Sequence, residues 1–140
     1  MSIEEKIFYR LRTNDAVSAL VGTRIYPIQL PPGRTLPAIT YTRVSTVRGH
    51  CLGGPSGRLR PRIQIDCWAD TYSGARTLAD KVRLCLDGFL GAIDGESNIG
   101  GIKLDGEYDG FETGVGYEDL EPGTPRVILD FIVPHFEATS

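Results

Sequence analysis

The side chains best suited to chemistry fall in two blocks of opposite charge. Arg43, Arg48, Arg58, Arg60 and Arg62 gather in one stretch, and Asp105, Glu107, Asp109, Glu112, Glu118, Asp119 and Glu121 gather in another. A guanidinium offers a fixed fork of donors that matches a carboxylate through two bonds at once. A catalytic carboxylate pair needs one member in an apolar pocket that keeps its proton. The acidic block is threaded with glycine, so its charges are expected in solvent, as an exposed loop. The arginines read either as a solvated face or as a contact surface. Copies of the chain set head to tail would match one block to the other, and a heterologous interface that closes makes a ring. These residues together form the candidate subunit or partner interface.

Other constellations fall short of a site. Gly53-Gly54-Pro55-Ser56-Gly57-Arg58 has the glycines of a phosphate cradle. It lacks the Gly-Lys-Ser/Thr ending of a P-loop, and it joins two expected strands rather than a strand and a helix. Ser56 is outside a nucleophile elbow, because Arg58 fills the last position. His50 and Cys51 are neighbours, but adjacent strand residues point to opposite faces, and His135 stands alone. Zinc takes three or four ligands, and the acidic block has no EF-hand spacing for calcium. No catalytic residue, metal or cofactor is therefore expected.

The elements that must carry these blocks alternate in type. Ser2 with Glu5 makes a capping box ahead of Ile3, Ile7, Phe8 and Leu11 at helical spacing. A short second helix runs from Asn14 to a left-handed cap at Gly22. Arg24–Ile28 is a short strand, with Pro27 placing it at an edge or ending it early. Gln29–Thr35 is a proline-rich loop. Leu36–Val47 and Arg60–Trp68 are expected to pair antiparallel through a flexible tip at Gly49–Leu59. Ile39, Tyr41 and Arg43 point one way and Thr40, Thr42 and Val44 the other. Ile63, Ile65 and Cys67 face the core; Arg62, Gln64, Asp66 and Trp68 face away. From about Ser73 to Leu86, capped by Thr71 or Ser73, the residues Ala75, Leu78, Ala79, Val82, Cys85, Leu86 and Phe89 make an apolar stripe. Gly91–Gly101 is expected as a loop and Ile102–Tyr108 as a strand. Arg126–Val133 is expected as a central strand or one covered by a partner, being apolar on both faces. The chain is expected to fray after Pro134.

The expected fold class is α+β: a mostly antiparallel sheet of four to five strands with two main helices on one face. Residues 1–136 form one domain and 137–140 a frayed tail. At 140 residues the chain is long enough to build its own core. A net charge of -3 lacks the basic surplus of a non-specific nucleic-acid binder. Cys51, Cys67 and Cys85 are odd in number and widely spaced, a poor disulfide framework that fits a reducing compartment. The polar, acidic start is unlike a signal peptide, and no apolar run is long enough for a bilayer.

Several segments in fixed order carry a resemblance. They are the N-terminal helix leading into Leu20-Val21-Gly22-Thr23-Arg24-Ile25-Tyr26-Pro27, then Leu36-Pro37-Ala38-Ile39-Thr40-Tyr41, Gly53-Gly54-Pro55-Ser56-Gly57, Ile63-Gln64-Ile65-Asp66-Cys67-Trp68-Ala69 and Ala75-Arg76-Thr77-Leu78-Ala79-Asp80-Lys81-Val82-Arg83. Between Ile3 and Phe136 the chain resembles the tail-completion (tail-terminator, head–tail joining) proteins of long-tailed bacteriophages. The resemblance implies a structural protein without catalytic residues. It implies a ring, typically a hexamer, that caps the tail tube, ends its growth and joins it to the head–tail connector protein. Its implied partners are further copies of itself, the tail tube protein and the connector; DNA passes through the lumen without specific binding, and no membrane is involved. The implied location is the head–tail interface of the virion, after assembly in the bacterial cytoplasm. The competing reading from the residues is a small ligand-binding domain or enzyme that takes an anionic substrate on the Arg-rich hairpin. It requires a concave pocket near Arg43, Arg60 and Arg62.

Overall fold

The computed structural model describes residues 3–33, 35–51, 54–93, 96–99, 101–111 and 123–136, with backbone alone at 47–51, 54–58, 91–93, 96–99, 111 and 135–136. Helix α1 (Ile3–Thr13) buries Ile3, Ile7 and Leu11, one residue per turn. Glu4 and Glu5 in its first turn and Arg10 and Arg12 in its last complement the helix dipole. In α2 (Asp15–Val21) the Asn14 side chain accepts the Val17 N–H at 3.1 Å, and Gly22 closes the helix at φ 59°. Helix α3 (Tyr72–Leu86) starts where Thr71 Oγ1 accepts the Gly74 N–H at 3.0 Å.

The strands are β1 (Ile25–Pro27), β2 (Ala38–Cys51), β3 (Gly54–Trp68), β4 (Gly91–Ile93), β5 (Glu96–Ile99), β6 (Lys103–Phe111), β7 (Pro125–Ile132) and β8 (His135–Phe136). The main sheet runs β1-β2-β3-β7-β6, antiparallel throughout except for the parallel pair β1–β2. The upper half of β3 pairs instead with β8, which pairs with β5, which pairs with β4. The fold is α+β, as expected.

One face of the sheet carries Ile39, Ile63, Ile65, Cys67, Val127, Leu129 and Phe131, all fully buried under α1 and α3. The α3 residues Leu78, Val82 and Leu86 are likewise sealed. Each such side chain contributes about 1.5–3 kcal/mol of burial, so α3 is the main lid. On the opposite face, Leu30, Ala38 and Trp68 form a second small cluster with Tyr26 and Leu36. The Trp68 indole N–H donates to Thr40 Oγ1 at 3.1 Å, which satisfies its one polar atom inside the cluster.

Three expectations are corrected. The expected flexible tip at Gly49–Leu59 is mostly ladder: β2 continues to Cys51 and β3 begins at Gly54, with His50 opposite Pro55. Continuous cross-strand pairing outweighs the weak strand propensity of glycine and proline there. The expected loop at Gly91–Gly101 contains the β4–β5 hairpin. His135 and Phe136 form β8, docked on Arg58 and Leu59, rather than fraying. Two of these segments are ordered by a neighbouring strand across a tight turn, and β8 by a strand distant in sequence. The expected tail at 137–140 lies outside the described residues.

Candidate functional site

Alternation along β3 and β7 places Arg62, Gln64 and Asp66 beside Arg126, Ile128 and Asp130 on the face turned away from the helices. Register then sets the pairs. Gln64 stands opposite Asp130, and Trp68 opposite Arg126, so each arginine reaches its acid diagonally. Arg62 Nη1 lies 3.2 Å from Asp130 Oδ2 and 2.8 Å from Asp105 Oδ2. Arg126 Nη1 lies 3.1 Å from Asp66 Oδ2, with its guanidinium carbon 5.0 Å from the Trp68 ring centre. Gln64 Nε2 donates to the other Asp66 oxygen at 2.9 Å. Asp105 joins this face at the register shift between Leu104 and Gly106.

The electrostatics follow the surroundings. Burial pushes the Asp66 carboxyl above the usual range, and the bonds from Gln64 and Arg126 only partly offset it. The hydrogen bond from Arg62 holds Asp105 below that range. Arg126 Nε and Asp130 Oδ1 are buried with no hydrogen-bond partner, so this face is held by charge pairing that leaves some groups unsatisfied.

The rest of the charged set lies on the helix side. Arg76 of α3 bonds Glu107 Oε1 at 2.9 Å and lies 3.6 Å from Asp109 Oδ1. The Tyr72 hydroxyl donates to Asp109 Oδ2 at 2.9 Å; that bond and then burial raise its pKa. Arg43 reaches back to α1, with Nη2 3.2 Å from Glu4 Oε2. These contacts tie the helices to the sheet.

The two sequence blocks are therefore partly interleaved within one chain. Arg62 meets Asp105, but Arg43 lies on the opposite face, since it pairs with Ile63 in register. Arg60 is exposed. The side chains of Arg48 and Arg58, and the residues Glu112, Glu118, Asp119 and Glu121, lie outside the described residues. Sequence reasoning missed Glu4, Asp66, Tyr72, Arg76, Arg126 and Asp130 as partners. The available signal was the period of two that sets Arg and Asp on the same face of two strands.

Arg43 lies on the helix face of the sheet and Arg62 on the other, so the two do not line one pocket for an anionic substrate. A cleft of roughly 390 Å³ lies elsewhere, lined by Leu20, Pro37, Ala69, Asp70, Thr71, Gly74, Thr77 and Leu78. Its walls are largely apolar and hold no cation. Among the described residues no cluster of His, Cys, Asp and Glu is arranged to hold a metal ion, and no helix is long and apolar enough to cross a membrane. Cys67 is buried beside Asp66, and burial pushes its thiol far up, which keeps it protonated and unreactive.

Among the described residues, Arg43, Arg62, Arg76 and Arg126 each pair with a carboxylate of the same α+β sheet or the helices on it. Residues 5–131 match the family model "Tail completion protein gp17", and the chain belongs to that family of structural phage tail proteins. No curated protein matches its sequence. In three dimensions it is similar to a chain of the "Virion of native gene transfer agent (GTA) particle", with a TM-score of 0.72 at 17% identity, covering 97% of this chain and 96% of that one. That likeness is one of fold.

Proposed function

We propose that this protein is a non-enzymatic ring subunit that caps the phage tail tube, ends its growth and joins the tail to the connector of the head. The observation that carries the reading is the family match over residues 5–131. Two features support it. Arg43, Arg62, Arg76 and Arg126 are engaged by carboxylates of the same chain, which leaves them poorly placed to grip phosphate. Among the described residues the sheet also keeps open strand edges, which neighbours can complete. In this reading the ring is a hexamer, the tube protein and the connector are its other partners, and the original arginine and carboxylate blocks contribute to contacts between copies. It sits at the head–tail interface after assembly in the bacterial cytoplasm, and DNA passes through its lumen without specific contacts.

Light scattering over a wide concentration range, with negative-stain imaging of large species, tests it. Closed rings of one size are expected. A chain that stays monomeric at every concentration overturns the ring.

A further inference from the structure

Among the described residues the main sheet has two open edges on opposite sides, and backbone geometry identifies them. At one side β1 stops early. Ile39 N–H bonds the Arg24 carbonyl at 3.0 Å, and Ile28 N–H bonds the Tyr41 carbonyl at 2.9 Å. Ile39 and Tyr41 therefore turn their backbone groups toward β1, and alternation turns Arg43 the same way. Ile28 then leaves the sheet at φ 70°, a left-handed conformation that a β-branched residue rarely adopts. Beyond it no described strand covers β2. Past the register shift at Arg43/Ser45, Thr46 stands opposite Pro61. Pro61 has no N–H, and its carbonyl accepts from Val133 on the far side at 3.0 Å. Thr46 therefore also presents its N–H and carbonyl outward.

At the other side β6 pairs, among the described strands, only with β7. Ala69 N–H bonds the Pro125 carbonyl at 3.3 Å, so Pro125, Val127, Leu129 and Phe131 turn toward β3. Their partners Asp109, Glu107 and Leu104 therefore turn outward. The first part of this edge is sealed: Asp87 Oδ1 accepts the Leu104 N–H at 2.9 Å, and Ile102 exchanges bonds with Gly88 and Phe89 at 2.7 and 2.8 Å. From Glu107 on, no described group seals it.

We propose that copies of the chain join by strand pairing, the open edge of β2 in one copy meeting the open edge of β6 in the next. This deepens the ring reading and rests on it. The occupant follows from three properties. Each edge needs a strand, and the two lie on opposite sides of one sheet, which makes the contact heterologous and able to close. Directions agree: β2, β3, β7 and β6 alternate, so a rotation that preserves strand direction brings β6 against β2 antiparallel, the more stable pairing. The charged side chains beside both edges are already paired within each copy, Arg43 with Glu4 and Glu107 with Arg76, which leaves the outward backbone groups as what the contact must satisfy.

Thr46→Pro and Asp109→Pro each delete one outward N–H while sparing the ladder inside the monomer. Each variant alone is expected to remain monomeric by light scattering. Mixed in equal amounts, they retain one good edge apiece, and they should form a dimer of twice the 15.3 kDa chain mass and nothing larger. Variants that assemble like wild type overturn the edge pairing and leave the ring standing on another interface; a monomeric wild type overturns the ring itself. Should either variant fail to fold, hydrogen exchange on wild type decides. Peptides spanning residues 43–51 and 107–111 should exchange at least tenfold more slowly in the assembled protein than in the dilute monomer. Equal rates overturn the proposal.

Discussion

Asp66 shows how one residue can be held at a cost. It is 7% exposed and shares its two oxygens between Gln64 and Arg126. Arg126→Ala removes the countercharge and the cover on Trp68 together. A loss of about 2 kcal/mol is expected, reduced from a fully buried pair because Arg126 is partly open to water. A urea midpoint that falls while the m-value holds would confirm it. The pH dependence has a definite sign. A carboxyl whose folded pKa is raised favours the fold below its unfolded pKa and loses that contribution as pH rises through the folded value. Asp105, lowered by Arg62, behaves oppositely: its contribution is present above the unfolded pKa and disappears as pH falls through the folded one. Asp66→Asn should therefore compare best with wild type at neutral pH and worst in acid. Melting curves from pH 3 to pH 7 that run parallel for the two proteins would contradict the burial argument.

Among elements, α3 was the most legible in sequence. Its stripe from Ala75 to Leu86 is buried as the 3.6-residue period requires, and Thr71 caps it. Strand β3 was legible for a similar reason, since alternation fixes which face each residue takes once one face is buried, and β7 was legible as a strand from its apolar run. Strands β4, β5 and β8 were not. They are two to four residues long, too short for any period, and they are defined by the strands they touch. Glycines in β6 were also opaque. A Cβ at Gly106 would lie 2.8 Å from Tyr108 Cζ, and one at Gly110 would lie 3.3 Å from Arg126 Nε; both leave room for a large side chain to lie flat on the strand. Ile28 marks the end of β1 at a strained φ while 72% exposed. Ile28→Gly relieves the strain and loses little burial, so the unfolding free energy should rise by about 1 kcal/mol. Thermal denaturation checks this, and a drop in midpoint would show that the isoleucine side chain matters more than the backbone.

Across the whole molecule the charge pattern decides what the surface can do. A net charge of -3 combines with Arg43, Arg62, Arg76 and Arg126 already paired to carboxylates. Binding to nucleic acid depends on free cations that displace counterions. Fluorescence anisotropy with labelled duplex DNA at low salt is expected to show no saturable binding; tight, salt-sensitive binding would mean that a cationic surface is presented after all.

Composition and periodicity were enough to establish the α+β class, the buried stripe of α3 and the inward face of β3, because these depend on local repeat and on the sign of each residue's transfer free energy. Pairing between distant segments was beyond them. That Arg62 meets Asp105 while Arg43 meets Glu4, and that β2 outruns β1 to leave an edge open, follows from register, a bulge and the place where one strand stops. Those are properties of segments in contact, and a shift of one residue in any of them would send the same side chains to the opposite face.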